Sequence, residues 1–131
     1  MKIRLLLALA CVLPLLLHAE LSPSAYESMQ AKAPEYLKIE ILRVEVDPGA
    51  TPAQQKIHLV ALVNDVIRTA SDIKPKDIIN IMYTVTDHPK GWAGPGEIPI
   101  PVEKDQSVAY LIKSTEGDFA PAAGRMSFSN F

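Results

Sequence analysis

The sequence predicts an all-β domain, a small antiparallel barrel, and three observations carry that prediction. Leu37, Ile39 and Ile41 alternate with charged residues, and Leu42, Val44 and Val46 continue the alternation on the other parity. Further on, Ile79, Ile81, Tyr83 and Val85 alternate with Asn80, Met82, Thr84 and Thr86, the period of a half-buried strand. Between them, Lys74-Pro75-Lys76-Asp77 reads as a tight turn joining antiparallel neighbours.

The first residues have a different character. Lys2 and Arg4 precede an apolar run from Leu5 to Leu17, and His18 and Ala19 form a small-residue exit, the layout of a secretory signal peptide over residues 1–19. The apolar run is interrupted by Pro14 and is shorter than the roughly 20 residues a membrane span needs, so no span is expected in the mature chain. Cys11 suggests a lipoprotein only if the cut falls within Ala8-Leu9-Ala10-Cys11, which would leave Val12 to Leu17, still apolar, at the start of the mature protein. Cleavage after Ala19 is the expectation, and the compartment is then periplasmic or secreted.

Beyond Ala19 the chain has no cysteine. The mature domain therefore relies on apolar packing in an oxidising compartment, without a disulfide framework. Without Lys2 and Arg4, eleven basic residues face fifteen acidic ones, a formal charge of −4. No basic cluster remains to gather phosphates, which excludes nucleic acid as a partner.

Residues 20–36 are polar, contain Pro23 and Pro34 and hold no sustained period, which reads as a flexible leader with at most a short helical turn. A single domain follows over residues 37–131. The one-residue phase change at Ile41 and Leu42 is that of a β-bulge, which bends a strand so that its apolar face stays inward; a strongly bent first strand suits a small barrel. Asp47, Pro48 and Gly49 end it.

The segment from Thr51 to Asp72 supports two readings. Thr51, Pro52 and Gln54 match a capping box with proline at the first helical position, and Leu59, Leu62, Val63, Val66, Ile67 and Ala70 recur at helical spacing. This is the alternative, an α+β fold with a helix over residues 52–70. Ile57, Val60, Val63, Val66, Ile67 and Thr69 are β-branched, however, and Ile57, Leu59, Ala61 and Val63 also alternate as a strand would. Val108, Tyr110 and Ile112 mark a later strand before Gly117, and Met126 and Phe128 suggest a last strand or edge packing.

The order of these phrases, from Leu37-Lys38-Ile39 through Val63 to Ile112 and on to Phe119-Ala120-Pro121, resembles a group of small secreted bacterial proteins with an OB-type barrel. More distantly it is similar to the netrin-like domain of the tissue inhibitors of metalloproteinases. The resemblance covers about residues 36–128 and rests on strand order and turn phrases. It implies an OB-like barrel and tips the segment after Thr51 toward a long, curved strand. Those inhibitors chelate a protease metal through an amino-terminal cysteine, which this mature chain lacks, so the resemblance carries no inhibitory chemistry.

Chemistry is sparse. His58 and His88, with Asp87, could together supply three metal ligands, but they stand in different elements and nothing in the sequence sets their separation. No metal or cofactor is expected. Ser71-Asp72-Ile73-Lys74 matches a serine–lysine spacing without its companion motifs and is followed by Pro75; it reads as a polar turn. Gly91-Trp92-Ala93-Gly94-Pro95-Gly96 lacks the lysine and helix of a phosphate cradle.

The segment from Thr86 to Pro101 remains, with four prolines, three glycines and the only tryptophan. Trp92 on a proline-stiffened loop can stack on a sugar, a proline or an apolar side chain of a partner; alternatively it folds back to plug the barrel with its indole N–H on a carbonyl. Pro99 and Pro101 keep the loop's last part out of any central strand and suit it to crossing the barrel or covering an edge. The expected function is a noncatalytic binding or interaction module for an envelope protein or glycan, using Asp87, His88 and Trp92. The alternatives are a small metal-dependent or hydrolytic enzyme built on His58 and His88, and an accessory structural protein of the cell envelope.

Overall fold

A computed structural model describes residues 20–129 and 131, so the signal peptide expected over residues 1–19, with Cys11, lies outside the described residues. Five strands form the domain: β1 (Glu35–Pro48), β2 (Gln54–Arg68), β3 (Ile78–Thr86), β4 (Gln106–Lys113) and β5 (Phe119–Pro121). They close into a barrel in the order β1-β2-β3-β5-β4, with β4 returning to β1. Every pairing is antiparallel except that of β3 with β5. The chain is therefore an all-β, OB-like barrel.

Closure depends on β1. It pairs with β4 through Glu35–Glu40 and with β2 from Tyr36 to Pro48, so one strand belongs to both sides of the ring. Its register against β2 shifts between Ile41 and Arg43, which leaves Leu42 as the extra residue of the expected bulge. Leu37, Ile39 and Ile41 are buried before the bulge, and Val44 packs against the core after it. Leu42 and Val46 do not follow them: they are 40% and 46% exposed, Leu42 being the unpaired residue of the bulge.

β2 is a strand of 15 residues, and the helix over residues 52–70 is not formed. Ile57, Leu59, Ala61 and Val63 are all at most 1% exposed, whereas Ile67, central to the helical pattern, is 46% exposed. The period-2 set meets β1 on one side and β3 on the other, and that double pairing outweighs the local helical spacing. The apparent capping box is a hairpin turn. Gln54 N–H donates to Thr51 O, and Gly49 N–H donates to Gln54 O.

Two turns with the same plan lead into β3 and β4. In Lys74–Asp77 the N–H of Asp77 donates to Lys74 O, the Asp77 carboxylate accepts from Lys74 N–H, and Lys76 sits at φ +76°. In Val102–Asp105 the N–H of Asp105 donates to Val102 O, its carboxylate accepts from Val102 N–H, and Lys104 sits at φ +74°. Each turn then docks on an inward-facing residue of an earlier strand. Lys76 and Asp77 exchange hydrogen bonds with Val63, and Lys104 and Asp105 do so with Ile41. The strain of a non-glycine residue at positive φ is offset at both sites by these paired bonds.

The core is built by the inward set of every strand, including Ile79, Ile81 and Val85 of β3, Ala109 and Leu111 of β4 and Phe119 of β5. Phe128 adds the tail by a bridge to Ala109. Burying each large aliphatic side chain stabilises the fold by about 1.5–3 kcal/mol.

The leader expected over residues 20–36 requires correction. Pro23–Lys32 is a ten-residue helix, α1, and β1 already begins at Glu35. Ser22 caps α1 through its side chain, and Pro23 occupies the first turn, where its missing N–H costs nothing. The helix has no periodic apolar face, and Tyr26 is its only buried residue. Anchors distant in sequence hold it instead: Arg68 donates to Gln30 O and Ala33 O, and Gln30 Nε2 donates to Met126 O.

Candidate functional site

The segment after β3 runs from Asp87 to Asp105 without helix or strand, yet it is fastened along its length. Asp87 N–H donates to Ala53 O at 2.8 Å. Glu97 reaches back to β3, accepting from Thr86 N–H at 3.0 Å, and its other oxygen meets His88 Nε2. Tyr83 Oη donates to Pro99 O at 2.7 Å, and Ile98 packs against the core. Pro101 is buried, and the turn that follows covers the β1 edge at Ile41. The proline-rich end itself is tied to β3 through Tyr83, and the edge is covered by the Val102–Asp105 turn that follows it.

Within this frame His88 and Trp92 stack, ring centroids 4.2 Å apart and planes within 9°. The backbone supports the stack: Trp92 N–H donates to Pro89 O, and Gly91 takes φ +88°, a conformation few L-residues adopt. The indole N–H donates to Pro95 O at 3.2 Å. Gly94 lies directly against the ring, where an added Cβ would come within 2.3 Å of Cζ2.

Trp92 does not plug the barrel. It is 48% exposed and outside the core, although its indole N–H does meet a carbonyl. The physical reason is that Phe119, Phe128 and aliphatic side chains already fill the interior, while the short Pro89–Trp92 turn holds the indole over His88.

The residues expected at the site are brought together only in part. His88 and Trp92 form one unit, with Glu97 behind it, while Asp87 is exposed and takes no part in the stack. His58 belongs elsewhere. It lies within β2 opposite Met82, with Nδ1 3.0 Å from Glu45 and Nε2 2.8 Å from Asn80 Oδ1, so it shares no partner with His88. Among the described residues, no group of three or more His, Cys, Asp or Glu side chains is placed to hold a metal ion.

Glu97 escaped the reading of the sequence because no spacing rule links a loop carboxylate to a histidine nine positions earlier. A second feature was equally hidden. Glu20 accepts from Tyr26 Oη and from Arg125 Nε at 2.9 Å with one oxygen, and from Gly96 N–H at 2.8 Å with the other. Arg125 also lies over the Tyr26 ring, 5.1 Å from its centroid. This cluster borders a cleft of about 460 Å³ between α1 and the 3-10 turn Gly124–Met126, lined by Leu21, Tyr26, Gln30 and Met126 among others.

Chemically, the His88–Trp92 pair is a flat surface without an activated nucleophile. Glu97 engages His88 Nε2, and Pro95 O engages the indole N–H. What it offers a ligand is the exposed part of an aromatic ring whose orientation is set before binding. Among the described residues, no helix is long and apolar enough to cross a membrane. No protein-family model matches the chain, and neither a curated protein nor a solved structure matches it significantly.

Proposed function

We propose that the protein is a noncatalytic binding module of the periplasm or the extracellular space, and that the Trp92 loop is its contact surface. The observation that carries this reading is a half-exposed tryptophan that is already immobilised. Its ring is held by the His88 stack, the Pro95 carbonyl and the close approach of Gly94. A side chain ordered before binding loses little entropy on contact, and so contributes more of its burial to affinity. The partner is an envelope glycan or protein, which would lay a sugar face, a proline ring or an apolar side chain on the indole.

The test is direct because Trp92 is the only tryptophan in the chain. Emission is followed while soluble peptidoglycan fragments, envelope oligosaccharides and proline-rich peptides are titrated in turn. One of these classes should shift or quench the emission saturably, and Trp92→Ala should weaken its binding, measured by calorimetry, at least tenfold while leaving the melting temperature nearly unchanged. Flat titrations with all three classes, or a ligand whose affinity survives Trp92→Ala, would remove the proposal.

The secretory part of the reading rests on the first 19 residues. It is checked by the mass of the mature protein, which should begin at Glu20. A mass beginning at Cys11 with an added lipid would overturn it.

A further inference from the structure

The amino-terminal helix and the Trp92 loop are far apart in sequence and meet at one carboxylate. Glu20 takes donors from three places: Tyr26 in α1, Arg125 in the 3-10 turn, and the Gly96 amide in the loop. The meeting is close. A Cβ on Gly96 would come within 2.9 Å of Arg125 Cδ, so the loop backbone lies directly on the arginine side chain. Four residues earlier stands Trp92, and the next residue, Glu97, holds His88 and the end of β3.

Apart from this cluster, α1 is held only at its carboxyl-terminal end, by Arg68 on Gln30 O and Ala33 O and by Gln30 on Met126 O, so its first turn depends on Glu20 and Tyr26. A helix of ten residues is marginal in water by itself, and this one buries a single side chain, Tyr26. Tyr26 is also the residue whose hydroxyl donates to Glu20. Elements with few buried apolar contacts open at lower free energy than the core they rest on. When α1 opens, Tyr26 leaves, and the Glu20 carboxylate is carried away from Gly96 with it.

We propose that Glu20 is a latch: it couples the docking of α1 to the conformation of the Trp92 loop, so that the amino-terminal helix controls how the loop is presented. In the latched form the Gly96 amide is held and the Pro95–Glu97 backbone is fixed. In the open form Gly96 loses its acceptor, and the segment that positions the indole loses its support on the side away from β3. The coupling is reciprocal, since anything that binds the latched loop also favours the docked helix. The Tyr26 hydroxyl, and after it Arg125, hold the Glu20 carboxyl below its ordinary value, which keeps the accepting form present through neutral and mildly acidic pH.

Residue-resolved hydrogen exchange on the intact protein tests this without any ligand, so its outcome is independent of what binds Trp92. In the wild type, the Gly96 amide should exchange in step with the amides of α1 as denaturant is raised, and well before those of β2. Glu20→Ala, which removes the acceptor, should speed exchange at Gly96 by at least tenfold and raise acrylamide quenching of Trp92, leaving β2 protection unchanged. Tyr26→Phe keeps the ring and removes the hydroxyl, and should produce the same change more weakly. Protection of Gly96 that persists in Glu20→Ala, or that follows β2 rather than α1 in the wild type, would overturn the latch.

Discussion

Glu35 shows how one residue can join distant segments without any role in binding. It is 1% exposed at the start of β1, and its carboxyl group accepts from Ser71 Oγ at 2.7 Å and from Ala70 N–H at 3.2 Å. It therefore fixes the strand-to-turn passage after β2, where Asp72 takes φ +58°. Glu35→Ala removes the acceptor for both donors and leaves a void, so we expect a loss of about 2 kcal/mol, read as a lower midpoint in urea with little change in slope. Nothing in the sequence marks this residue, since a glutamate beside Pro34 looks like ordinary surface charge. His58 is the converse case: it drew attention as one of few histidines, yet it is occupied by Glu45 and Asn80 on the barrel's outer face.

At the scale of the element, the informative comparison is between β2 and the Trp92 loop. β2 was ambiguous because its residues satisfy two periods at once, and only pairing with β1 and β3 selects the period of two. β3, whose alternation has no competing period, was plain from sequence. The loop is legible as proline-bound, but not its inner contacts, because a stacked ring, the His88–Glu97 contact and the Gly96–Glu20 hydrogen bond depend on which segments fold next to it. Gly94 makes the arrangement testable. A Cβ there would enter the space of the indole ring, so Gly94→Ala should drive Trp92 off His88, shift its emission to the red and raise acrylamide quenching. The melting temperature should stay within a few degrees, since the ring is outside the core; an unchanged spectrum would mean that the stack is not held this way.

The whole barrel carries a signature in alkali. Tyr83 lies half-buried against the core with its hydroxyl on Pro99 O, and burial pushes its pKa well above the ordinary value of 10.0. Tyr110 is pushed up to about 12, first by burial and then by the hydrogen bond with Tyr36, on which it stacks at 4.5 Å. Tyr26 is raised as well, by burial and then by its bond to Glu20. A group that holds its proton more tightly when folded contributes stability that is complete below the unfolded pKa and is lost as pH rises through the folded one. Stability should therefore decline between about pH 10 and 12. In an ultraviolet titration at pH 11, the folded protein should show fewer ionised tyrosines than the same protein in guanidinium. Equal ionisation in the two states would contradict the burial of these rings.

From local pattern alone come the strands around residues 37–46, 79–85 and 108–112, the Lys74–Asp77 turn, the proline-stiffened Trp92 loop and the lack of cysteine beyond Ala19. These follow from period, β-branching and proline geometry, which act over neighbouring residues. Only the tertiary structure decided that residues 54–68 form a strand, that residues 23–32 form a docked helix, and that Trp92 rests on His88 outside the core. Each of these depends on partners far along the chain: β3 against β2, Arg68 on the end of α1, and Glu20 with Arg125, 105 positions apart, beneath the loop. Such contacts exist only after the barrel has closed, and no local pattern records them.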